Sequence, residues 1–137
     1  MKNFVLLYVK DAMTTDLITV SPTTKLKGVE GLFDTYDYNF IPVMEEGRMV
    51  GIVSKLDILK HFVFTPQSMI PHYDRLLEDE VRLVMNKGVL TVSTDTPLTR
   101  VLELMVETKL RSFPVVDSEM NLLGIISRDD ILRQLRE

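Results

Sequence analysis

The chain contains two copies of one sequence unit, and this duplication constrains the fold more than any other feature. The phrase GIVSKLDIL begins at Gly51, and GIISRDDIL begins 73 positions later at Gly124. Upstream of these phrases the halves match at an offset of 72 positions. The matched positions in the first half are Val9, Met13, Thr19, Val20, Ser21, Thr24, Leu26, Val29, Leu32, Pro42 and Val43. Chance repeats do not keep one register over a whole unit, so the sequence predicts a tandem duplication.

Each half shows the same order of hydrophobic periods. The β-branched runs LITVS and VLTVS precede segments whose apolar residues recur at helical spacing. Two apolar strands around a polar turn follow, and a second helix begins at Ser54 and again at Ser127. Thr96 followed by Pro97 predicts an N-cap with proline at the first helical position. We therefore expect an α+β fold in which each unit is strand, helix, strand, strand, helix, with a three-stranded sheet.

The predicted boundaries are a first repeat at 1–60, a connector at 61–80 and a second repeat at 81–137. The connector ends in the acidic run LLEDE at 76–80, which predicts a solvated helical face. A unit of about 60 residues buries too little surface to be comfortably stable alone. We therefore expect two small sheets packed around a pseudo-twofold axis, with two equivalent clefts between the halves.

Composition and charge exclude several function classes. The net charge is -4, with a pI near 5.2 and scattered basic residues, which argues against nucleic acid and anionic membranes as partners. The absence of cysteine excludes a disulfide framework and a thiol nucleophile. The apolar stretch Phe4–Val9 is too short to span a membrane. The lack of cysteine and of a membrane span leads us to expect a cytoplasmic protein. No catalytic motif is present, and His61 and His72 lack acidic residues at metal-ligand spacing, so we expect neither an enzyme nor a metal site.

The repeated SKLD and SRDD segments allow two interpretations. A serine followed three residues later by an acid is the pattern of a capping box, in which each side chain accepts an amide hydrogen at a helix start. Such a cap contributes roughly 0.5 to 2 kcal/mol. The same geometry suits a nucleoside phosphate, because a helix start attracts phosphate and a carboxylate can accept hydrogen bonds from ribose hydroxyls. The glycine three residues before each serine would admit either a ligand or another backbone segment.

These features together resemble a CBS domain pair, the regulatory tandem repeats named after cystathionine beta-synthase. The resemblance rests on Gly-hydrophobic-hydrophobic-Ser-x-x-Asp in each half, on IPV and FPV, on MT with the ITV run, and on the element order. It covers the chain from about Val9 to Leu132. It implies that the clefts between the repeats bind AMP, ADP, ATP or S-adenosylmethionine as a regulatory ligand, with no catalytic cofactor.

The resemblance also implies roles for individual residues. Asp57 and Asp130 would hold ribose hydroxyls. Phosphate would contact Ser54, Ser127, Arg111, Lys55 and Arg128. The adenine pocket would comprise Ile18, Thr19, Phe40, Ile41 and Pro42 in the first half and Leu90, Thr91, Ser112, Phe113 and Pro114 in the second. Because Arg111 aligns with the uncharged Asn39, we expect unequal sites with phosphate recognition depending on Arg111.

By the same resemblance the protein would be a nucleotide sensor that acts in trans on an unknown effector protein. It would also form a homodimer through its helices. The alternative is a ligand-free structural or dimerisation module in which the Ser-x-x-Asp segments are only helix caps. In that case bulky side chains such as Tyr38, Phe40 and Phe113 would fill the clefts.

Overall fold

The computed structural model describes residues 3–63 and 73–136, which fold into two compact units. The unit we call terminal joins Met1–Leu17 to Leu90–Glu137, and the unit we call central is Ile18–Val89. The predicted boundaries divide the chain into consecutive repeats. In the structure, the opening segment of each repeat belongs to the compact unit that contains most of the other repeat.

Both units contain a helix, two strands and a second helix in the same order, and the central unit has one further short helix. The central unit contains α1 (Leu26–Thr35), β1 (Ile41–Glu45), β2 (Arg48–Val53), α2 (Lys55–Lys60) and α3 (Tyr73–Leu76). The terminal unit contains α4 (Leu98–Thr108), β3 (Ser112–Val116), β4 (Leu122–Ser127) and α5 (Arg128–Arg136). The pairs β1–β2 and β3–β4 are antiparallel. The α+β class, with a duplicated unit and two small sheets, is therefore confirmed.

The segment expected to be the first strand of each half joins the sheet at a single residue. In the central unit the Val20 amide donates to the Pro42 carbonyl at 3.0 Å, and the Met44 amide donates to the Val20 carbonyl at 2.8 Å. The preceding bond of this parallel ladder would run from the residue 42 amide to the Ile18 carbonyl, and proline has no amide hydrogen to donate. Val92 is held in the same way beside Pro114. The predicted three-stranded sheet is therefore wrong, because each sheet has two strands and the expected first strand contributes one bridged residue to it.

Helix α4 begins one residue later than predicted. Pro97 occupies the N-cap position and Leu98 is the first helical residue. The Thr96 hydroxyl instead accepts a hydrogen bond from the Ser93 amide at 3.1 Å, which closes a local turn. The Leu98 amide donates to the carbonyl of Leu7 at 3.0 Å. The Leu7 carbonyl therefore satisfies the Leu98 amide, which in the predicted cap would have donated to the Thr96 side chain.

Each hydrophobic core includes a residue from the opening segment of the other repeat. Val9 is fully buried in the terminal core, where Phe113 also lies. Val81 is fully buried in the central core beside Val53. We call residues 8–14 and 80–86 the lead-ins. The exchange of lead-ins explains why the compact units differ from the sequence repeats.

The acidic run before the second lead-in is not helical as predicted. Helix α3 ends at Leu76, and the chain then turns across the start of α1. The carbonyls of Leu77 and Asp79 accept hydrogen bonds from the first amides of α1, both at 2.9 Å. Connector residues 64–72 lie outside the described part of the chain. Among the described residues, no helix is long and apolar enough to cross a bilayer.

Candidate functional site

The SKLD segment of the central unit forms a complete capping box at the start of α2. The Ser54 amide and hydroxyl donate to Asp57 Oδ2 at 2.8 and 2.9 Å, and the Asp57 amide donates to Ser54 Oγ at 3.3 Å. We call residues 54–57 the Asp57 cap. The Asp57 side chain is partly exposed, and no residue in the described ranges donates a hydrogen bond to its second oxygen, Oδ1.

The SRDD segment of the terminal unit repeats this geometry at α5. The Ser127 amide and hydroxyl donate to Asp130 Oδ2 at 2.9 and 3.0 Å, and the Asp130 amide donates to Ser127 Oγ at 3.2 Å. We call residues 127–130 the Asp130 cap. The serine and aspartate of each pattern are therefore in contact, as the capping interpretation predicts.

The two caps differ at the second carboxylate oxygen. Asp130 Oδ1 accepts a hydrogen bond from the Thr14 hydroxyl at 3.1 Å and another from Arg133 Nη1 at 3.2 Å. Asp130 is only 3% exposed. A carboxylate offers about four lone-pair positions, and four donors surround this one. The Asp130 carboxylate is therefore saturated, whereas Asp57 Oδ1 accepts nothing from the part of the chain that the structure describes.

The motif glycines admit the backbone of the lead-ins. A Cβ on Gly51 would lie 3.0 Å from the carbonyl oxygen of Asn86, and one on Gly124 would lie 2.8 Å from that of Thr14. The neighbouring Ile52 and Ile125 exchange backbone hydrogen bonds with these same two residues. The sequence allowed either a ligand or a backbone segment beside these glycines, and the structure shows a backbone segment beside both.

The two predicted phosphate ligands beside the serines have different contacts. Arg128 Nη2 donates to the carbonyl of Lys109 at 2.9 Å, closing the C-terminal end of α4. Lys55 Nζ lies 6.0 Å from the centroid of the Phe33 ring. Arg111 is exposed, and its guanidinium group has no hydrogen-bond or ion-pair partner among the described residues. Among the described residues Arg111 and Lys55 have no ion-pair partner, whereas the Arg128 guanidinium is held by a backbone carbonyl.

The predicted adenine-pocket residues divide into buried and accessible sets. Those from β1, β3 and the residue before β1 are buried, and Ser112 is partly exposed. The buried set is Phe40, Ile41, Pro42, Phe113 and Pro114. The other set, partly or fully exposed, is Ile18, Thr19, Leu90, Thr91 and Ser112. Ile41 and Phe113 belong to the hydrophobic cores, so their side chains pack inside the units. The first-half residues all lie in the central unit and the second-half residues all lie in the terminal unit.

Sequence reasoning missed the two residues that saturate Asp130. Thr14 is 116 positions from Asp130, so no local pattern links them. The repeat register does contain a signal, because Thr14 aligns with Asn86 and Arg133 aligns with Lys60. Two cap neighbours therefore change between halves while both caps are kept.

His61 has an acidic partner that is distant in the sequence. His61 Nε2 lies 2.8 Å from Asp79 Oδ2, which links the end of α2 to the turn before the second lead-in. His72 lies outside the described residues. Within 3–63 and 73–136 no group of three or more metal-ligating side chains is present.

Comparisons with known proteins agree with this architecture. The model of the CBS domain family matches residues 9–63 and 79–137. Protein MJ1225 of Methanocaldococcus jannaschii is 27% identical over 129 residues, which are 91% of this chain and 46% of that protein. Its crystal structure has a TM-score of 0.86 at 26% identity, covering 94% of this chain and 48% of that chain.

Two further relatives show different contexts for the same module. The crystal structure of CBSX2 in complex with AMP has a TM-score of 0.80 at 28% identity, covering 96% of this chain and 99% of that one. An inosine-5'-monophosphate dehydrogenase of Methanocaldococcus jannaschii is 31% identical over 123 residues, which are 87% of this chain and 22% of the enzyme. The chain thus spans less than half the length of MJ1225 and about a fifth of the dehydrogenase. The family match covers most of the chain, both capping boxes included, and the chain belongs to the CBS domain family.

Proposed function

We propose that this protein is a regulatory module that binds an adenine nucleotide at a Ser-x-x-Asp cap. The observation that carries the proposal is the likeness to CBSX2, which has AMP bound and matches almost the full length of both chains. AMP, ADP and ATP share the adenosine and phosphate groups that such a site would recognise. S-adenosylmethionine shares the adenosine group alone.

The geometry supports this proposal through groups that suit each part of the ligand. Asp57 has a carboxylate oxygen that would accept hydrogen bonds from ribose hydroxyls, and Asp130 is the matching carboxylate of the second cap. Ser54 and Ser127 carry hydroxyls beside the same caps, and Arg111 supplies an unpaired guanidinium that can bind phosphate bidentately. Thr19 and Thr91 lie in accessible segments where adenine would contact backbone groups.

We further propose that the protein works as a homodimer and acts on a separate effector protein. Helices α4 and α5 enclose a groove of about 340 Å³, lined by Leu102, Met105, Val106, Lys109, Arg128, Ile131, Leu132 and Leu135. Val106 is 71% exposed and Leu132 is 52% exposed, so this face offers apolar area to a second copy. A ligand can shift such an assembly only through different affinities for its two states.

A second candidate function has its own support. Both capping boxes are complete without a ligand, so the Ser-x-x-Asp segments stabilise the helices whether or not a nucleotide binds. On this alternative the protein is a ligand-free structural or dimerisation module. Substitution of either aspartate would then change stability alone.

A thermal-shift panel with AMP, ADP, ATP, S-adenosylmethionine and adenosine separates the two candidates. A ligand at about 100 times its dissociation constant adds ~2.7 kcal/mol to the free energy of unfolding. For a chain of this size that raises the melting temperature by roughly 5 to 10 °C. The proposal expects this rise with at least one nucleotide and a smaller rise in Asp57→Asn. A flat response to all five compounds would contradict it and favour the structural module.

A further inference from the structure

The two caps are not equally ready for a ribose, and the difference lies in their neighbours rather than in the caps themselves. Accepting a ribose hydroxyl requires a free lone pair on the carboxylate. Asp57 Oδ1 receives no hydrogen bond from the described residues, whereas Asp130 Oδ1 receives two, from Thr14 and Arg133. A ribose at Asp130 would have to displace both donors.

The residues aligned with these donors cannot close the Asp57 cap. Asn86 takes the place of Thr14, with its backbone paired to Ile52 just as Thr14 is paired to Ile125. Its side-chain carbonyl accepts a hydrogen bond from the Gly88 amide at 3.0 Å instead of turning to the cap. Because the backbones of Asn86 and Thr14 pair in the same way, the difference between the two caps comes from their side chains.

The second donor differs for a related reason. Arg133 sits three residues after Asp130 in the middle of the nine-residue helix α5, where i,i+3 partners face each other. Lys60 holds the matching position but is the last residue of the six-residue helix α2 and makes no ion pair with Asp57 in the described structure. Lysine also lacks the planar guanidinium group with which arginine donates hydrogen bonds to a carboxylate.

We infer that Thr14 and Arg133 are specificity-determining residues that close the Asp130 cap, so that one adenosine binds per chain, at the Asp57 cap. This inference rests on the proposed function and adds to it the number and place of the ligands. Asp130 then acts as a positioning residue that fixes the first lead-in to α5. Arg111 lies in the unit with the closed cap, and the Asp57 side has Asn39 in its place.

A reciprocal exchange of the neighbours tests the inference by calorimetric titration with AMP and with adenosine. The wild type should bind one AMP per chain. The variant Thr14→Asn with Arg133→Lys gives the Asp130 cap the neighbours of the Asp57 cap and should raise the stoichiometry from one to two. The converse variant Asn86→Thr with Lys60→Arg should weaken binding at the Asp57 cap at least tenfold.

Each outcome has a distinct meaning. Two equal AMP sites in the wild type would overturn the inference while leaving the proposed function intact. Unchanged AMP affinity in the Asn86→Thr, Lys60→Arg variant would also overturn it, and that variant changes only exposed residues, so it tests the inference even if the Thr14 variant fails to fold. No binding heat and no thermal shift with any adenosine compound would instead overturn the proposed function itself.

Discussion

The central and terminal units use the same cap in different surroundings. In both units a serine and an aspartate bond each other at a helix start, with donor-acceptor distances that agree within 0.1 Å. In the terminal unit Asp130 is buried beside Thr14 and Arg133, whereas in the central unit Asp57 is partly exposed. Duplication has therefore kept the backbone plan and the cap, while the side chains around the cap have diverged.

The helix grooves show the same kind of divergence. The groove between α1 and α2 measures about 310 Å³ and is lined by Glu30, Phe33, Asp34, Lys55, Ile58 and Leu59. Each of these aligns with a residue of the α4/α5 groove in the repeat register. Glu30 and Asp34 stand where the terminal unit has Leu102 and Val106. The terminal groove is therefore better suited to apolar association, because carboxylates are costly to bury.

The largest expected effect comes from filling the space that the lead-ins occupy. Gly124→Ala places a methyl group 2.8 Å from a backbone oxygen, and Gly51→Ala places one at 3.0 Å. We expect losses of about 3 kcal/mol and about 2 kcal/mol in the free energy of unfolding, measured by urea denaturation. Gly31→Ala is the matched control, since nothing lies within 4 Å of its added carbon. If Gly124→Ala were as stable as Gly31→Ala, the close packing of the lead-in would be wrong.

The next effect distinguishes the two carboxylates. Asp130→Asn removes a buried charge that accepts four hydrogen bonds and should lower stability by about 2 to 3 kcal/mol. Asp57→Asn affects only the cap and should lower it by about 1 kcal/mol. Thermal and urea unfolding of both variants in the absence of nucleotide would measure the difference. Equal losses would show that Thr14 and Arg133 contribute nothing to the terminal unit.

A smaller effect concerns assembly through the grooves. Val106→Asp gives the α4/α5 groove the carboxylate that its counterpart has, and it should raise the dimer dissociation constant at least tenfold because a charge would be buried. Light scattering over a concentration series measures this constant. Asp34→Asn, at the aligned position, serves as the control and should change it little. A Val106→Asp variant that remains as dimeric as the wild type would place the interface elsewhere.

The smallest effect concerns the turn before the second lead-in. Hydrogen bonds from Lys25 and Lys27 lower the pKa of Glu78 from 4.5 to about 2. A lowered pKa stabilises the fold above the unfolded value, and this contribution is lost as the pH falls from about 4.5 to about 2. The terminal unit has Leu6 at the aligned position and lacks this dependence.

The pH dependence can be isolated by substitution. Glu78→Gln should lose less stability than the wild type over that pH range, as followed by thermal unfolding. Because the Glu78 and lysine side chains are exposed, added salt should reduce the difference. Parallel stability curves for the two proteins at low salt would show that the ion pairs are without effect.

Much of the fold can be predicted from the sequence because its causes are local or periodic. The repeat register follows from a periodic match, and the helical spacing and the helix starts just after Ser54 and Ser127 follow from patterns within a few residues. The reduced first strand was not predicted, because the missing ladder bond depends on Pro42 and Pro114 in a different segment. The acidic run after Leu76 was predicted to be helical, but the first amides of α1 draw its carbonyls into a turn.

The candidate site is less predictable for the same reason. The capping boxes are local, so their geometry agrees with the pattern. The closure of Asp130 depends on Thr14, which belongs to the opposite end of the chain and reaches the cap only because the lead-ins are exchanged. The orientation of Arg128 depends on the carbonyl of Lys109, freed where α4 ends. Contacts of this kind arise from tertiary packing and have no signature in a short window.

Calorimetric titration of AMP into the wild type, Asp57→Asn and Asp130→Asn tests the central claim most directly. The account predicts that Asp57→Asn loses at least tenfold in affinity. It predicts that Asp130→Asn binds AMP within a few fold of the wild type although it unfolds at a lower temperature. Loss of binding in a folded Asp130→Asn variant with full binding in Asp57→Asn would contradict the assignment of the open cap, and no binding in the wild type would contradict the nucleotide site altogether.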